Sequence, residues 1–143
     1  MSTVTSVEDF SALIAGFAAT LAGRPLDDTL AAELNRDHPA GSATFEAIFK
    51  ACQAGVAAGW MCQHEGGGIR YGRVVEMADV VGPHHSHPNG EIDLVMPLQG
   101  DARFDGQPAG WKVYGPGSAH KPTVTGGRAL VLYLLPEGAI QFT

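Results

Sequence analysis

The chain has 143 residues, is 45% hydrophobic and carries a formal net charge of -6 at pH 7. This length and apolar content suffice for one core, so we expect a single domain spanning residues 1–143. Its nine Lys and Arg form no basic run and no apolar stretch reaches the roughly 18 residues of a membrane span, so neither nucleic acid nor a membrane is an expected partner.

The N-terminal segment, residues 1–60, has the period of amphipathic helices. Apolar residues recur at steps of three and four in three stretches, residues 7–21, 26–34 and 45–56. We interpret these helices as packing elements and expect them to provide the face of a homodimer. Acidic Glu8 and Asp9 stand where a signal peptide would be basic, so we expect a cytoplasmic protein.

Residues 61–143 have the texture of an all-β unit, because Gly and Pro interrupt short apolar runs every few residues. That spacing is typical of a sandwich or barrel. Turns are predicted at Asp105-Gly106 and Gly126-Gly127. We predict strands at residues 69–75, 77–81, 92–98, 102–104, 111–114, 122–124, 129–135 and 139–142.

Three of the six histidines crowd into one short stretch of this β region, at His84, His85 and His87. Alternate residues of a strand share a face, so His85 and His87 point to one side and His84 to the other. Two imidazoles can therefore converge on one point. Two roles stay open for His84. It is either a residue on the outer face or at the barrel mouth, or a catalytic group.

Further metal-binding groups follow the histidine pair. A turn at residues 88–90 would bring Glu91 back towards the pair, with Asp93 on the same side if the next strand is regular. His120 follows a tight Pro-Gly turn, where a neighbouring strand would begin. Three nitrogens and one oxygen suit one divalent ion of Zn, Fe, Mn, Ni or Co, and the spacing does not choose among them. The predicted metal ligands are His85, His87, Glu91 and His120, with Glu91 either a ligand or a base beside the metal.

The segment around His85, His87 and Glu91 and the segment that ends at His120 resemble the two sequence motifs of the cupin superfamily. The first cupin motif has a Gly, His-x-His, a Glu and a Gly, matched here by Gly82, His85, His87, Glu91 and Gly100. The second is matched by Gly110, Pro116, Gly117 and His120. The resemblance implies a mainly β fold: a cupin-type, double-stranded β-helix barrel over residues 61–143 that holds the metal, preceded by the helical segment.

The whole chain also resembles the 4-hydroxylaminobenzoate lyase family of nitroaromatic-degrading bacteria, in residues 65–74, 84–93 and 111–120. The resemblance implies a metal-dependent lyase that converts a hydroxylaminobenzoate to a dihydroxybenzoate, protocatechuate, and releases ammonia. A metal could act as the Lewis acid on the departing hydroxyl. The acid/base candidates are Glu91, Asp93 and His84.

A small aromatic substrate of this kind needs a cation for its carboxylate and flat walls for its ring. The candidate cations are Arg70, Arg73 and Arg128. The candidate ring contacts are Tyr71, Trp111 and Tyr114.

Cupin-like barrels host many functions, so two alternatives stay open. A cupin dioxygenase would use the same ligands with Fe(II) and consume oxygen. A non-catalytic ligand-binding cupin would bind metal or ligand without turnover.

Overall fold

A computed structural model describes residues 7–21, 23–58, 72–82, 84–135 and 141–142. Within these residues the helices are α1 (Val7–Ala19), α2 (Asp28–Asp37) and α3 (Ala43–Ala58). The strands are β1 (Gly72–Val81), β2 (His85–His87), β3 (Glu91–Phe104), β4 (Gly110–Tyr114), β5 (Ser118–His120), β6 (Thr123–Leu134) and β7 (Gln141–Phe142). In the described part of the chain, no helix is long and apolar enough to cross a membrane.

The strands form two antiparallel sheets whose side chains meet between them. The larger sheet has the order β1-β6-β3-β4, and the smaller has the order β5-β2-β7. The predicted fold class is confirmed: the fold is mainly β, with antiparallel sheets that we call the barrel and an N-terminal helical segment.

The larger sheet has two distinct buried faces because its side chains alternate. One face packs against the helices, where residues such as Leu94 and Leu132 join Phe10 and Ile48 in one apolar cluster. The opposite face looks into the barrel and carries a second cluster, which includes Val95 of β3 and Ala129, Val131 and Tyr133 of β6. Glu91 and Asp93 share the parity of Val95, so strand alternation places them on the barrel face.

Helix α2 covers β4, the edge strand of the larger sheet. The side chain of Asn35 donates to the Trp111 carbonyl and accepts from the Trp111 amide, both at 2.8 Å. The Trp111 indole N–H donates to the His38 carbonyl at 2.8 Å, and its ring stacks on Phe17. The side-chain amide of Asn35 thus pairs the Trp111 backbone groups, which an edge strand would otherwise leave without a partner.

The strands are longer than predicted. Residues 92–98 and 102–104 belong to the single strand β3, and residues 122–124 and 129–135 fall almost entirely within β6. The predicted Gly126-Gly127 turn is wrong, because both glycines lie inside β6 with positive φ. A Cβ on Gly127 would lie 2.0 Å from the Gln99 carbonyl oxygen, so the glycine permits close approach of β3 and β6 at an irregularity in their register.

Other predictions of local structure are met in part. Residues 77–81 join the preceding segment in β1, with a register shift at Asp79, while residues 69–71 lie outside the described part. The turn at Asp105-Gly106 is confirmed. A strand was expected to begin near His120 without a stated range, and it is β5. The homodimer stays a prediction.

Candidate metal centre

The three candidate histidine ligands lie on two paired strands of the smaller sheet. Strands β2 and β5 are antiparallel, with His85 opposite His120 and His87 opposite Ser118. Directly opposed residues point to the same face of a sheet, and so do alternate residues of one strand. All three imidazoles therefore project to one side, as the sequence predicted for His85 and His87.

Glu91 reaches the histidines from the other sheet. A turn at Pro88 and Asn89 joins β2 to β3, and Gly90 ends it with a φ of 85°. A Cβ on Gly90 would lie 2.7 Å from the Tyr114 carbonyl oxygen, so a larger residue cannot fit without displacing β4. The turn thus carries the chain between the two sheets and sets the carboxylate against the imidazoles.

The candidate ligand atoms of these four residues all lie within 4.8 Å of one another. The Nε2 atoms of His85, His87 and His120 lie 3.8, 3.3 and 3.5 Å from a Glu91 carboxylate oxygen. His85, His87 and Glu91 are at most 3% exposed, and His120 is partly buried.

Buried polar atoms in this cluster fit a metal ion. His87 Nε2 and both Glu91 carboxylate oxygens have no hydrogen-bond partner among the described residues. Leaving buried donors or acceptors unsatisfied is costly, and a divalent ion between them would satisfy all three atoms. The cluster of His85, His87, Glu91 and His120 could therefore bind a metal ion.

The far nitrogens of two imidazoles are held by other side chains. His87 Nδ1 lies 3.0 Å from Ser118 Oγ, and His120 Nδ1 lies 2.5 Å from Asp105 Oδ2. The same Asp105 oxygen accepts the Tyr114 hydroxyl, and Asp105 Oδ1 accepts the Thr123 amide at 2.9 Å. Partners on Nδ1 leave Nε2 directed at the cluster, an arrangement that is common for metal-binding histidines.

The ionisable groups of the cluster differ in charge state. Burial lowers the pKa of His87, so its imidazole is neutral at neutral pH. Burial also acts to lower the pKa of His120, but the hydrogen bond to Asp105 and the nearby Glu91 carboxylate outweigh it and raise that pKa to about 9. Burial acts to raise the pKa of Asp105, and hydrogen bonds from His120, Tyr114 and Thr123 lower it overall.

Asp93 lies one strand repeat from Glu91, fully buried, on the barrel face of β3. Burial and the neighbouring Glu91 carboxylate raise its pKa well above the usual range. No donor in the described part of the chain hydrogen-bonds either Asp93 oxygen. Lys112 on β4 and Tyr133 on β6 lie directly opposite Asp93. These two causes thus favour the neutral, protonated form of Asp93 next to the cluster.

Only some of the predicted substrate contacts lie at the cluster. The Tyr114 ring lies 4.4 Å from the His120 ring and 5.5 Å from the His87 ring, between centroids. Trp111, 1% exposed, belongs instead to the core between sheet and helices. Because Trp111 and Tyr114 are three residues apart in one strand, they occupy opposite faces. Trp111 is therefore not a wall of a pocket at the metal cluster.

Neither His84 nor Arg128 is brought to the cluster. His84 precedes β2 and is exposed. Arg128 lies on β6, five residues or roughly 17 Å along the strand from Tyr133, the neighbour of Asp93. Arg73 belongs to β1. Two further candidates, Arg70 and Tyr71, lie outside the described residues.

Three residues at the site were not singled out from the sequence. Asp105 was predicted only as a turn residue, and its contact with His120 depends on the packing of three strands. Ser118 lies two residues before His120, so alternation along β5 was a usable signal for it. Lys112 shares the face of Tyr114 by the same rule, and its Nζ lies 5.6 Å from the Tyr114 ring centroid.

Comparison with known proteins places the chain in a family. Residues 12–142 match the model of the PnbB 4-hydroxylaminobenzoate lyase family. A protein named 4-hydroxylaminobenzoate lyase from Nocardioides sp. (strain LMS-CY) is 31% identical, with 88% of both chains aligned. One of the same name from Pseudomonas putida is 26% identical, with 94% of both aligned.

Among solved structures, the DMSP lyase DddQ from Ruegeria pomeroyi DSS-3 aligns with 94% of this chain and 95% of its own. The identity is 21% and the TM-score 0.35. Since the family model covers most of the sequence and both relatives align along most of their length, this chain belongs to the 4-hydroxylaminobenzoate lyase family.

Proposed function

We propose that this protein is a metal-dependent lyase that converts 4-hydroxylaminobenzoate and water to protocatechuate and ammonia. The observation that carries the proposal is the buried cluster of His85, His87, Glu91 and His120 in a chain of this family. Both named relatives are 4-hydroxylaminobenzoate lyases, which supports the substrate.

The reaction can be written so that its atoms balance. Protonation of the N-hydroxyl oxygen lets the N–O bond break with loss of one water and leaves the ring electron-poor. A second water adds to the ring carbon adjacent to the carbon that bears the nitrogen, and it gives up a proton. Hydrolysis of the resulting carbon–nitrogen double bond by a third water releases ammonia, and a proton shift restores the aromatic ring. One water is consumed overall, and no external oxidant or reductant is needed.

Four side chains of this chain would hold the metal. Its donor set of three nitrogens and one carboxylate suits Zn, Fe, Mn, Ni or Co. When bound, the ion would supply Lewis acidity towards the departing hydroxyl. We assign Glu91 as a ligand because its oxygens lie 3.3 to 3.8 Å from all three imidazole Nε2 atoms. That assignment leaves the acid/base role to another carboxyl group.

Asp93 is the carboxyl group that fits the acid/base role. It lies beside Glu91 on the barrel face, and burial with no donor to its oxygens among the described residues favours the protonated form. A neutral acid at this position can donate to the leaving oxygen. The resulting carboxylate can then take the proton of the water that attacks the ring.

Lys112 and Tyr114 are the residues that we propose to bind the aromatic substrate. Tyr114 presents its ring to His87 and His120, and Lys112 lies one strand repeat further along the same face of β4. Nitrogen and carboxylate of a para-substituted benzoate are separated by roughly one such repeat, about 6.6 Å. With the nitrogen at the cluster, the carboxylate would therefore reach the Lys112 ammonium.

An anaerobic turnover assay tests the proposal. The purified protein, with its metal content measured, is incubated without oxygen with 4-hydroxylaminobenzoate, and ammonia and protocatechuate are quantified. We expect equal amounts of both products, abolished when a chelator removes the metal. Metal-loaded protein that forms neither product without oxygen would overturn the lyase assignment, and turnover only in air would indicate a dioxygenase.

A further inference from the structure

Asp105 connects three strands at the edge of the metal cluster. It lies in the turn between β3 and β4, and its carboxylate meets three donors, one each from β4, β5 and β6. Oδ2 accepts the Tyr114 hydroxyl and lies 2.5 Å from His120 Nδ1, while Oδ1 accepts the Thr123 amide at 2.9 Å. A carboxylate with both oxygens engaged in this way is turned away from the metal position.

We propose that Asp105 is a positioning residue that keeps a proton on His120 Nδ1, so that Nε2 is the nitrogen that gives up its proton to a metal ion. This inference rests on the metal site of the proposed function and adds the residue that makes His120 competent as a ligand. A fixed acceptor on Nδ1 selects one tautomer, because only the Nδ1–H form can donate to Asp105. The other nitrogen then points at the cluster as an acceptor.

The role requires a carboxylate rather than an amide. Asp105 faces donors on both oxygens, and an asparagine offers only one acceptor oxygen. If its amide nitrogen faced Thr123, two N–H groups would oppose each other and the backbone anchor would be lost. If its amide nitrogen faced His120, Nδ1 would become the acceptor and Nε2 would carry the proton. A protonated Nε2 cannot bind a metal.

The backbone at Asp105 makes asparagine the right probe. Asp105 has a φ of 48°, a left-handed conformation in which Asp and Asn are both enriched. Asp105→Asn therefore keeps the shape and the backbone preference and changes the charge and the hydrogen-bonding pattern. Alanine would add backbone strain and remove every contact at once.

Asp79 provides a matched control elsewhere in the fold. It has a φ of 44°, and its side chain accepts the Gly126 amide at 3.0 Å, as Asp105 accepts that of Thr123. Asp79 lies at an exposed irregularity of β1 and is not part of the metal cluster. Asp79→Asn therefore reproduces the conformational part of the substitution without touching a candidate ligand.

The test measures Zn²⁺ affinity by competition with a chromophoric chelator. We expect Asp105→Asn to weaken zinc binding by about 10- to 100-fold, the usual cost of losing the partner of a metal-bound histidine. Asp79→Asn should stay within about twofold of wild type, as expected for a change outside the ligand network. Equal affinities of Asp105→Asn and wild type would overturn the proposal.

A spectroscopic measurement tests the tautomer directly and needs no variant at Asp105. Long-range ¹H–¹⁵N spectra of the zinc-loaded wild-type protein, assigned with His120→Gln, should show a proton on His120 Nδ1 and zinc on Nε2. Zinc on Nδ1, or failure of the wild-type protein to bind zinc, would overturn the inference. Normal zinc behaviour without turnover of hydroxylaminobenzoate would overturn only the proposed function.

Discussion

His85 and His120 face each other across β2 and β5, with their Nε2 atoms 3.1 Å apart. Two imidazole nitrogens at this separation repel each other if both carry a proton or if both present a lone pair. A proton between them gives one hydrogen bond, and a metal ion bound to both lone pairs removes the conflict for the whole cluster. The geometry is thus compatible with a hydrogen bond between the two rings and with a metal ion bound to both.

The first prediction concerns the ligands themselves. His87→Ala and His120→Ala should each abolish stoichiometric metal binding, because three nitrogen ligands would fall to two. Ser86→Ala is the matched control, since Ser86 lies between His85 and His87 in β2 and points to the opposite face. Metal per chain, measured after reconstitution with Zn²⁺ and desalting, decides the outcome. Unchanged content in either histidine variant would refute the site.

The second prediction is that metal affinity rises with pH. Without metal, the pKa of His120 is about 9, so a metal ion must displace a proton from it at neutral pH. Because the pKa of His87 is lowered, this ligand carries no extra proton that a metal ion would have to displace. Zinc affinity should therefore increase by about tenfold per pH unit from pH 7 towards 9 and level off above that range.

The released proton can be measured directly. Calorimetric titration with zinc at pH 7, in two buffers of different ionisation enthalpy, should show at least about one proton released per ion, as expected for a ligand that is protonated before binding. An affinity that does not change with pH, together with no proton release, would show that His120 is neutral before the metal binds.

The metal cluster was predictable from the sequence because its geometry is local. Strand alternation alone places His85 and His87 on one face, and a Pro-Gly turn marks the start of the strand that contains His120. The turn before Glu91 was also recognisable. Strand alternation does not predict that this turn connects a strand of the smaller sheet to a strand of the larger sheet, because that depends on how the two sheets pack. Asp105 was missed for the same reason.

Other misses have different physical causes. Gly126 and Gly127 were read as a turn because paired glycines mark turns, whereas here they let two long strands approach closely. The range of strand β5 was not predicted, because its three residues are too few to show a period of two. The placement of Trp111 beside Tyr114 was avoidable, since an odd separation in a strand puts two side chains on opposite faces.

The third prediction concerns Asp93. Asp93→Asn keeps the shape of the neutral acid but removes its acidic proton, so turnover should fall by about 10²- to 10⁴-fold, the usual contribution of an acid/base group. Zinc affinity should stay near that of wild type, because Asp93 is not one of the four candidate ligands. The matched control is Asp101→Asn, on the exposed part of the same strand. Wild-type turnover in Asp93→Asn would exclude the proposed role.

Asp93 also predicts how the stability of the metal-free protein depends on pH. Its pKa is raised in the folded state by burial and by Glu91, so folding favours the protonated form. The contribution of this group to the free energy of unfolding is largest below the unfolded pKa, about 3.9, and is lost as pH rises through the folded pKa. Urea unfolding of wild type and Asp93→Asn at pH 5 and 7 should show a smaller loss of stability in the variant. Parallel losses would contradict the assignment.

The fourth prediction concerns recognition of the substrate carboxylate by Lys112. Lys112→Gln should lower kcat/KM for 4-hydroxylaminobenzoate by about 10- to 100-fold, because a charge-assisted hydrogen bond is lost. Phenylhydroxylamine, which has no carboxylate, should be turned over equally by wild type and variant, so the loss is specific to the charged substrate. Lys112→Arg should restore part of the activity, and Lys121→Gln, at an exposed lysine, should have no effect. An equal loss for both substrates would mean that Lys112 supports the structure of the barrel and does not bind the substrate carboxylate.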